Sequence, residues 1–210
     1  MKIVFDPSVG KGNRYVDIIV NGLKSKGYEV YSLKQLFKSY QLYKSIKVIH
    51  LNWFDNLNTF QDFIKRIFKL FIFFITGKKI IWTLHNRLPH SNKMEWFSKL
   101  MIRLLIIQSS KIVIHCKESE RVIGSFSKSS LSKIFYIPHP NYIEEYGEIV
   151  VTKENQIKPL NLLFLGAVKP YKNIELLIEV IQNLDSSQVQ LNICGKPLNE
   201  AYEQTLIQKV

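Results

Sequence analysis

Four histidines stand at or directly after segments that predict buried β-strands, and imidazole can accept a proton or hold a substrate hydroxyl. They are His50, His85, His115 and His139, and the runs before them are rich in isoleucine, valine and leucine. Unbroken apolar runs are typical of parallel strands that are covered on both faces. Because ligands of open α/β sheets bind beyond the carboxyl ends of the strands, we expect these histidines to line one site.

Polar and aromatic residues share the loops of two of these histidines. The segment HLNWF adds Asn52 and Trp53 at the end of one predicted strand. The segment LHNRLPH adds Asn86 and His90 at the end of another. These four residues are expected to shape the site, although from its loop alone His85 can equally well be a strand-capping residue that bonds to the backbone.

Strands and helices alternate along the chain, which predicts an α/β fold with a doubly wound parallel sheet. We predict a Rossmann-like domain over 1–140, a polar, charged linker over 141–159 and a second α/β unit over 160–210. The predicted strands are Lys2–Phe5, Tyr28–Leu33, Ile46–Leu51, Lys79–Leu84, Lys111–His115, Lys133–Ile137, Leu160–Leu165 and Gln188–Cys194. The predicted helices are Tyr15–Lys26, Leu36–Tyr43, Leu57–Thr76, Met94–Gln108, Ser119–Phe126, Asn173–Leu184 and Leu198–Gln208.

The second unit is small, with only two predicted strands. A sheet of that size cannot bury both of its faces. We therefore interpret 160–210 as the first part of a larger domain and the chain as a fragment.

The formal net charge of +12 points to anionic partners, which include nucleic acids, phosphorylated ligands and anionic membranes. A nucleic-acid binder is disfavoured, because no RRM, KH or helix-turn-helix pattern is present and the aromatic residues fall in predicted helices. Phosphorylated ligands and membranes remain as the expected partners.

Cysteine usage and histidine spacing favour a site without a metal. The two cysteines, Cys116 and Cys194, lie in apolar runs and are expected to be buried free thiols of a reducing compartment. Neither they nor the histidines have the spacing of a zinc site, and there is no Asp-x-Asp pair. We expect no metal and no other cofactor, and a cytoplasmic location, since no secretory signal opens the sequence.

The predicted helix 57–76 combines six phenylalanines with Lys65, Arg66 and Lys69. Basic and aromatic character together is typical of a helix that lies on an anionic membrane surface. A core helix with an outer stripe of lysines would look the same. The hypothesis is therefore peripheral binding to the inner face of the plasma membrane.

The segment LLFLGAVKPYKNIELLIEVI, Leu162–Ile181, resembles the opening of the second domain of GT-B glycosyltransferases of retaining family 4. The resemblance implies that Gly166 lets the backbone approach a nucleotide diphosphate, and that Lys169 and Lys172 neutralise it. Two departures stand out. Lys169 replaces the arginine of relatives with an R-P-Y-K turn, and Ala167 stands where other relatives carry arginine.

Three segments of the first half also resemble that family: HLNWF from His50, WTLHN ending at Asn86 and YIPHPNY around His139. The resemblance implies that His85 contacts the donor sugar, so that His85 and Lys172 are the candidate catalytic residues. The implied acceptor side of an interdomain cleft comprises His50, Asn52, Trp53, Asn86, His90 and His139.

The implied function is transfer of a sugar from a nucleotide-sugar to a glycan or lipid-linked acceptor, in polysaccharide or cell-envelope glycan biosynthesis. No metal is implied where cationic side chains stabilise the departing diphosphate. The family's spaced pair of glutamates in the second domain is not in this sequence, so we expect little or no activity from residues 1–210 alone. The alternative is a non-catalytic, truncated binding module.

Overall fold

The computed structural model describes residues 1–10, 14–85, 95–143, 145, 147–148, 159–184 and 187–210. Two predicted site residues, Asn86 and His90, lie outside the described residues, as does most of the predicted linker. The chain divides into two compact units, Met1–Glu148 and Ile149–Val210.

The first unit is built on a six-stranded, fully parallel sheet with the strand order β2-β1-β3-β4-β5-β6. The chain runs outward from β1 to β2 and then returns to build the rest of the sheet on the other side of β1. That reversal creates a crevice beyond the carboxyl ends of β1 and β3. The strands are β1 (Lys2–Asp6), β2 (Glu29–Tyr31), β3 (Val48–Asn52), β4 (Lys79–Leu84), β5 (Ser109–Ile114) and β6 (Ile134–Tyr136).

Helices connect these strands, and the main core lies between them and the sheet. Trp82 of β4 and Phe73 are completely buried there. The helices are α1 (Arg14–Ser25), α2 (Leu33–Leu36), α3 (Tyr40–Ser45), α4 (Phe60–Ile75), α5 (Glu95–Gln108) and α6 (Glu118–Phe126), followed by a 3₁₀ turn (Lys128–Lys133).

Serine and threonine caps explain where the predicted helix bounds were wrong. Ser32 and Gln35 form a capping box that starts α2, and Ser39 caps α3, so the single predicted helix Leu36–Tyr43 is two short ones. Strand β2 is correspondingly shorter than predicted. The Thr59 hydroxyl accepts a hydrogen bond from the Asp62 amide, and α4 therefore begins at Phe60 rather than Leu57.

The second unit contains a parallel pair, β7 (Leu160–Leu165) and β8 (Val189–Cys194), a 3₁₀ turn (Pro170–Lys172) and the helices α7 (Ile174–Gln182) and α8 (Glu200–Ile207). Its core is small and lies on one face of the pair, where Ile174, Ile178 and Leu206 are buried with Val168. On the other face Leu163 and Leu165 are exposed.

The prediction that both cysteines are buried was wrong, because Cys116 and Cys194 are exposed. Cys116 lies in the turn between β5 and α6 rather than in a strand. Cys194 ends β8, in which alternate residues are exposed. An apolar run therefore predicted the strand correctly but did not say which of its faces is covered.

None of the helices in the described part of the chain combines the length and apolar character that a bilayer-spanning segment needs.

Candidate functional site

Three histidines meet beyond the carboxyl ends of β4, β5 and β6. We call His85, His115 and His139 the histidine cluster; one ring nitrogen from each lies within 4.8 Å of the other two. His85 and His115 directly follow their strands, and His139 lies three residues beyond β6. The structure thus brings three of the four predicted histidines together at these strand ends.

Tyr15 forms the floor of the cluster. Its ring centroid lies 5.0 Å from that of His85, 5.4 Å from that of His115 and 5.0 Å from that of His139. Burial raises the pKa of Tyr15 to about 12, so its hydroxyl stays protonated. Sequence reasoning treated Tyr15 only as a helix residue. The position of Tyr15 in the chain could have revealed it. Tyr15 lies in the first turn of α1, the helix after β1, and that turn lies at the same edge of the sheet as the strand ends.

Trp53 lies flat on His85, with ring centroids 4.0 Å apart and planes within 12° of each other. Its backbone has φ +50°, a left-handed conformation that is uncommon for a large side chain. Such strain is typical of residues whose placement is needed for function. Trp53 and Tyr15 also pack edge to face, at 5.8 Å, so His85, Trp53 and Tyr15 form a cluster of three rings in mutual contact.

The hydrogen bond that His85 donates to Asn52 fixes the tautomer of His85. Asn52 Nδ2 donates to the carbonyl of Asp6 at 3.4 Å, which directs Oδ1 toward His85 Nε2 at 3.2 Å. A carbonyl oxygen only accepts, so His85 Nε2 carries the proton and Nδ1 presents a lone pair. Asn52, at the end of β3, therefore orients the ring of His85, which follows the neighbouring strand β4.

His115 is held in the same way by the backbone. Its Nδ1 donates to the carbonyl of Ile137 at 2.7 Å, so Nε2 presents a lone pair. That Nε2 is buried and has no hydrogen-bond partner among the described residues. His139 Nδ1 pairs with the hydroxyl of Tyr142 at 3.1 Å.

His85 and His50 are neutral at pH 7. Desolvation, reinforced by the neighbouring histidines, lowers the pKa of His85 from 6.5 to about 3. Desolvation likewise lowers the pKa of His50 to about 4 and also lowers that of His139. His85 and His50 therefore offer imidazole lone pairs and N–H donors rather than positive charge.

His50 is placed differently from the prediction, because it lies within β3 and not at its end. Its Nε2 pairs with the Thr83 hydroxyl at 2.7 Å, and its ring packs edge to face on Phe5. Thr83 is also a hydrogen-bond partner of Tyr15. His50 thus connects to the histidine cluster through Thr83 and Tyr15, which makes it a supporting residue.

A cavity of about 280 Å³ lies at the β1–β3 reversal, lined by Asp6, Pro7, Leu33, Asn52, Trp53, Phe54, Arg66 and Lys69. Arg66 Nη1 donates to the carbonyls of Trp53 and Phe54 at 3.2 and 2.7 Å. Burial raises the pKa of Asp6. Sequence reasoning missed both Asp6 and Arg66 as cavity residues; Asp6 ends the first strand, and Arg66 lies three residues after the buried Phe63.

Arg66 therefore does not belong to the basic outer stripe that was predicted for the helix, and Lys69 is also half-buried. Only Lys65 of the three cations is exposed. The outer face of α4 is instead apolar, with a row of exposed side chains at helical spacing: Phe60, Ile64, Phe68, Phe71 and Ile75, and Phe74 beside them. We call this row the outer apolar stripe.

In the second unit the predicted diphosphate-binding residues lie around the turn after β7. Gly166 has φ +148°, and its amide donates to the carbonyl of Cys194 at 3.0 Å. Lys169 is half-buried and Lys172 is exposed, one at each end of the KPYK segment. Asn173 starts α7 in a left-handed conformation and provides no side-chain cap. The first-turn amides of α7 thus receive no hydrogen bond from the Asn173 side chain. Helix starts that bind anions leave such amides open in the same way.

No family model matches the sequence. Over 123 residues the chain is 26% identical to a GDP-mannose:glycolipid 4-beta-D-mannosyltransferase of Xanthomonas campestris pv. campestris. The matched region covers 59% of this chain and 32% of the relative. The chain is 27% identical over 171 residues to an uncharacterized 41.2 kDa protein in the cps region of Klebsiella pneumoniae, covering 77% of this chain and 46% of that protein. The chain thus spans between a third and a half of these relatives.

Among solved structures, that of Anabaena Alr3699/HepE in complex with UDP and glucose is similar to all of this chain and 65% of its own, with a TM-score of 0.61 and 17% identity. The same protein is similarly matched in complex with UDP-glucose. The predicted fold class is confirmed. It is the α/β fold of GT-B type, and its first unit is Rossmann-like.

Proposed function

We propose that this chain forms part of a glycosyltransferase, of the retaining family 4 type, which moves a sugar from a nucleotide-sugar to a glycan or lipid-linked acceptor. The observation that carries the proposal is the similarity over 123 residues to a mannosyltransferase named for GDP-mannose and a glycolipid. A fold shared with a protein solved with UDP-glucose supports it. The products would belong to polysaccharide or cell-envelope glycan biosynthesis.

In this function His85 positions the donor sugar. Its neutral ring stacks on Trp53 and packs edge to face on Tyr15, and its tautomer is set by Asn52. A fixed neutral imidazole suits a hydrogen bond to a sugar hydroxyl better than it suits proton abstraction, because a group with a pKa of about 3 is a weak base that does not hold an abstracted proton at neutral pH. Trp53 also offers an aromatic face to a sugar ring.

Lys169, Lys172 and the start of α7 would stabilise the departing diphosphate. Cationic side chains and helix amides directed at developing negative charge can do so without a metal. This assignment rests on the resemblance of the KPYK turn and on its location after β7. It predicts that nucleotide diphosphates bind to the second unit.

Contact with an anionic membrane surface through α4 would bring a lipid-linked acceptor to the first unit. The outer apolar stripe supports this, since a soluble helix normally turns its polar face outward. With only Lys65 exposed, the attraction would come mainly from burial of apolar area. The protein would then be peripheral at the cytoplasmic face of the plasma membrane.

Nucleotide binding tests the proposal. We expect GDP or UDP to shift the amide resonances of Gly166 and of the turn up to Asn173. The variant Lys172→Ala should weaken binding about ten- to hundredfold, because a charge-assisted hydrogen bond contributes about 1.5–3 kcal/mol. Lys26→Ala, at an exposed lysine after α1, is the matched control. Shifts confined to other parts of the chain, or none with any nucleotide, would refute the assignment.

A further inference from the structure

We propose that the histidine cluster binds a divalent transition-metal ion, with Zn²⁺ as the best match to its ligand chemistry. Three ring nitrogens already lie within 4.8 Å of one another. Tetrahedral Zn²⁺ with bonds of about 2.0–2.1 Å separates its nitrogen ligands by about 3.3 Å. Closing that difference requires side-chain movement, and His139, which is exposed and lies beyond β6, is the ligand best able to move.

The strongest single observation is the orphaned nitrogen of His115. Its Nδ1 proton is committed to the Ile137 carbonyl, so Nε2 is a lone pair that is buried and unpartnered among the described residues. Nearly all buried polar atoms in folded proteins have a partner, and an exception asks for an unseen one. A metal ion is an occupant that requires a bare imidazole lone pair.

The surroundings of the other two histidines match what metal sites use to orient their ligands. Histidine ligands generally donate the second ring N–H to a carboxylate, a backbone carbonyl or another acceptor. Here the acceptor of His85 is Asn52 Oδ1, and the partner of His139 is the Tyr142 hydroxyl. With the carbonyl that holds His115, every member of the cluster has such an orienting partner.

The chemistry of the cluster also selects the kind of ion. Imidazole suits Zn²⁺, Cu²⁺, Ni²⁺ and Fe²⁺, whereas Mg²⁺ and Ca²⁺ prefer oxygen ligands. The lone pairs that His85 Nδ1 and His115 Nε2 present attract a cation and repel a phosphate. Three protein ligands leave a tetrahedral ion one open position, which solvent or a ligand oxygen would fill.

Sequence spacing did not reveal this site, because the three histidines lie far apart in the chain and come from three successive strand ends. The expectation of no metal was based on local spacing and on what the family resemblance implied. The inference does not depend on sugar transfer. Nδ1 of His85 would bind either the ion or a sugar hydroxyl, whereas the nucleotide diphosphate is assigned to Lys169 and Lys172, so zinc binding and nucleotide binding can fail independently.

Metal binding to the chelator-treated chain tests the proposal. We expect one equivalent of Co²⁺ to give the intense visible bands of a tetrahedral site, and Zn²⁺ to displace it. Zn²⁺ at about a hundredfold above its Kd should raise the melting temperature by about 5–10 °C. Mg²⁺ should do neither.

Variants locate the ion. H115Q and H139Q together should abolish the Co²⁺ bands, while H139Q alone, at an exposed position, keeps the protein folded and lowers Zn²⁺ affinity. Y142F should lower the Zn²⁺ affinity about ten- to hundredfold, because His139 loses the hydrogen bond that orients its ring. C116S is the control, because Cys116 adjoins His115 and its thiol is exposed. Absence of the bands from the wild type, bands that persist without both histidines, or bands lost in C116S would each overturn the proposal.

Discussion

Replacement of two phenylalanines of the outer apolar stripe, Phe68→Ser with Phe71→Ser, should release the protein from lipid vesicles. Full burial of a phenylalanine side chain contributes about 1.5–3 kcal/mol. Phe68 is 62% exposed and Phe71 56% exposed, so most of each side chain is still available for burial in a membrane. In proportion, the pair would contribute about 2–3.5 kcal/mol, which corresponds to a partition coefficient lowered about twentyfold to four-hundredfold.

Electrostatic attraction should contribute less to membrane binding than burial of these two phenylalanines does. A cation near an anionic surface contributes about 1 kcal/mol, so Lys65→Glu should lower the partition coefficient about tenfold or somewhat more and make it more salt-dependent. Arg66 is the instructive neighbour. Its guanidinium is directed at backbone carbonyls of the cavity, so its replacement should affect folding rather than membrane contact.

Sedimentation with vesicles of phosphatidylserine and phosphatidylcholine measures the partition directly. Tyr40→Ser is the matched control, since Tyr40 is an aromatic residue on a different helix, α3, and is 77% exposed. The reasoning is refuted if wild-type protein does not sediment with vesicles. It is refuted equally if the double variant binds as tightly as Tyr40→Ser does.

Three further outcomes follow from the described contacts. Folding keeps His85 and His50 neutral by lowering their pKa values from 6.5 to about 3 and about 4, so the free energy of unfolding should be highest above pH 6.5 and fall as the pH drops toward 4. Arg66→Ala should lower the free energy of unfolding by about 2–4 kcal/mol, because two carbonyls lose a charged donor. Gly195→Ala should destabilise the second unit by at least about 1–3 kcal/mol, because the added Cβ would lie 1.6 Å from the carbonyl oxygen of Gly166.

Urea unfolding measures the free energy of unfolding in all three cases. A pH profile that is flat between 7.5 and 4.5, or that His85→Asn leaves unchanged in slope, would contradict the burial argument. Arg66→Ala with wild-type stability would show that its two hydrogen bonds contribute nothing. For Gly195→Ala the control is Gly22→Ala, a helical position with open space around the added Cβ, which should stabilise α1 by about 0.5–1 kcal/mol.

The sheet and its site-bearing edge could be predicted from the sequence because apolar runs carry that information locally. Strand β4 has the predicted bounds, Lys79–Leu84, and β7 likewise matches Leu160–Leu165. Where short polar caps compete with hydrophobic periodicity, as at Ser32 and Ser39, the prediction was wrong. The sequence also did not predict which side of α4 faces the core, and Arg66 was therefore assigned to the wrong face.

The histidine cluster shows a second limit. A sequence reading can place His85 and His115 at strand ends, but contact between them depends on β4 and β5 being neighbours in the sheet. The orienting bonds from Asn52 and the Ile137 carbonyl depend on side-chain rotamers and on the path of the chain after β6. Such contacts depend on tertiary structure, so no local sequence pattern predicts them.

The most direct measurement of the central claim is sugar transfer by the protein expressed from its complete reading frame. Labelled GDP-mannose and UDP-glucose are offered with a glycolipid extract from its own cells, and wild type is compared with Lys172→Ala and Lys26→Ala. We predict that label enters the lipid fraction and that Lys172→Ala lowers kcat/KM about ten- to hundredfold while Lys26→Ala does not. Equal transfer by Lys172→Ala and wild type, or no transfer despite nucleotide binding, would contradict the account.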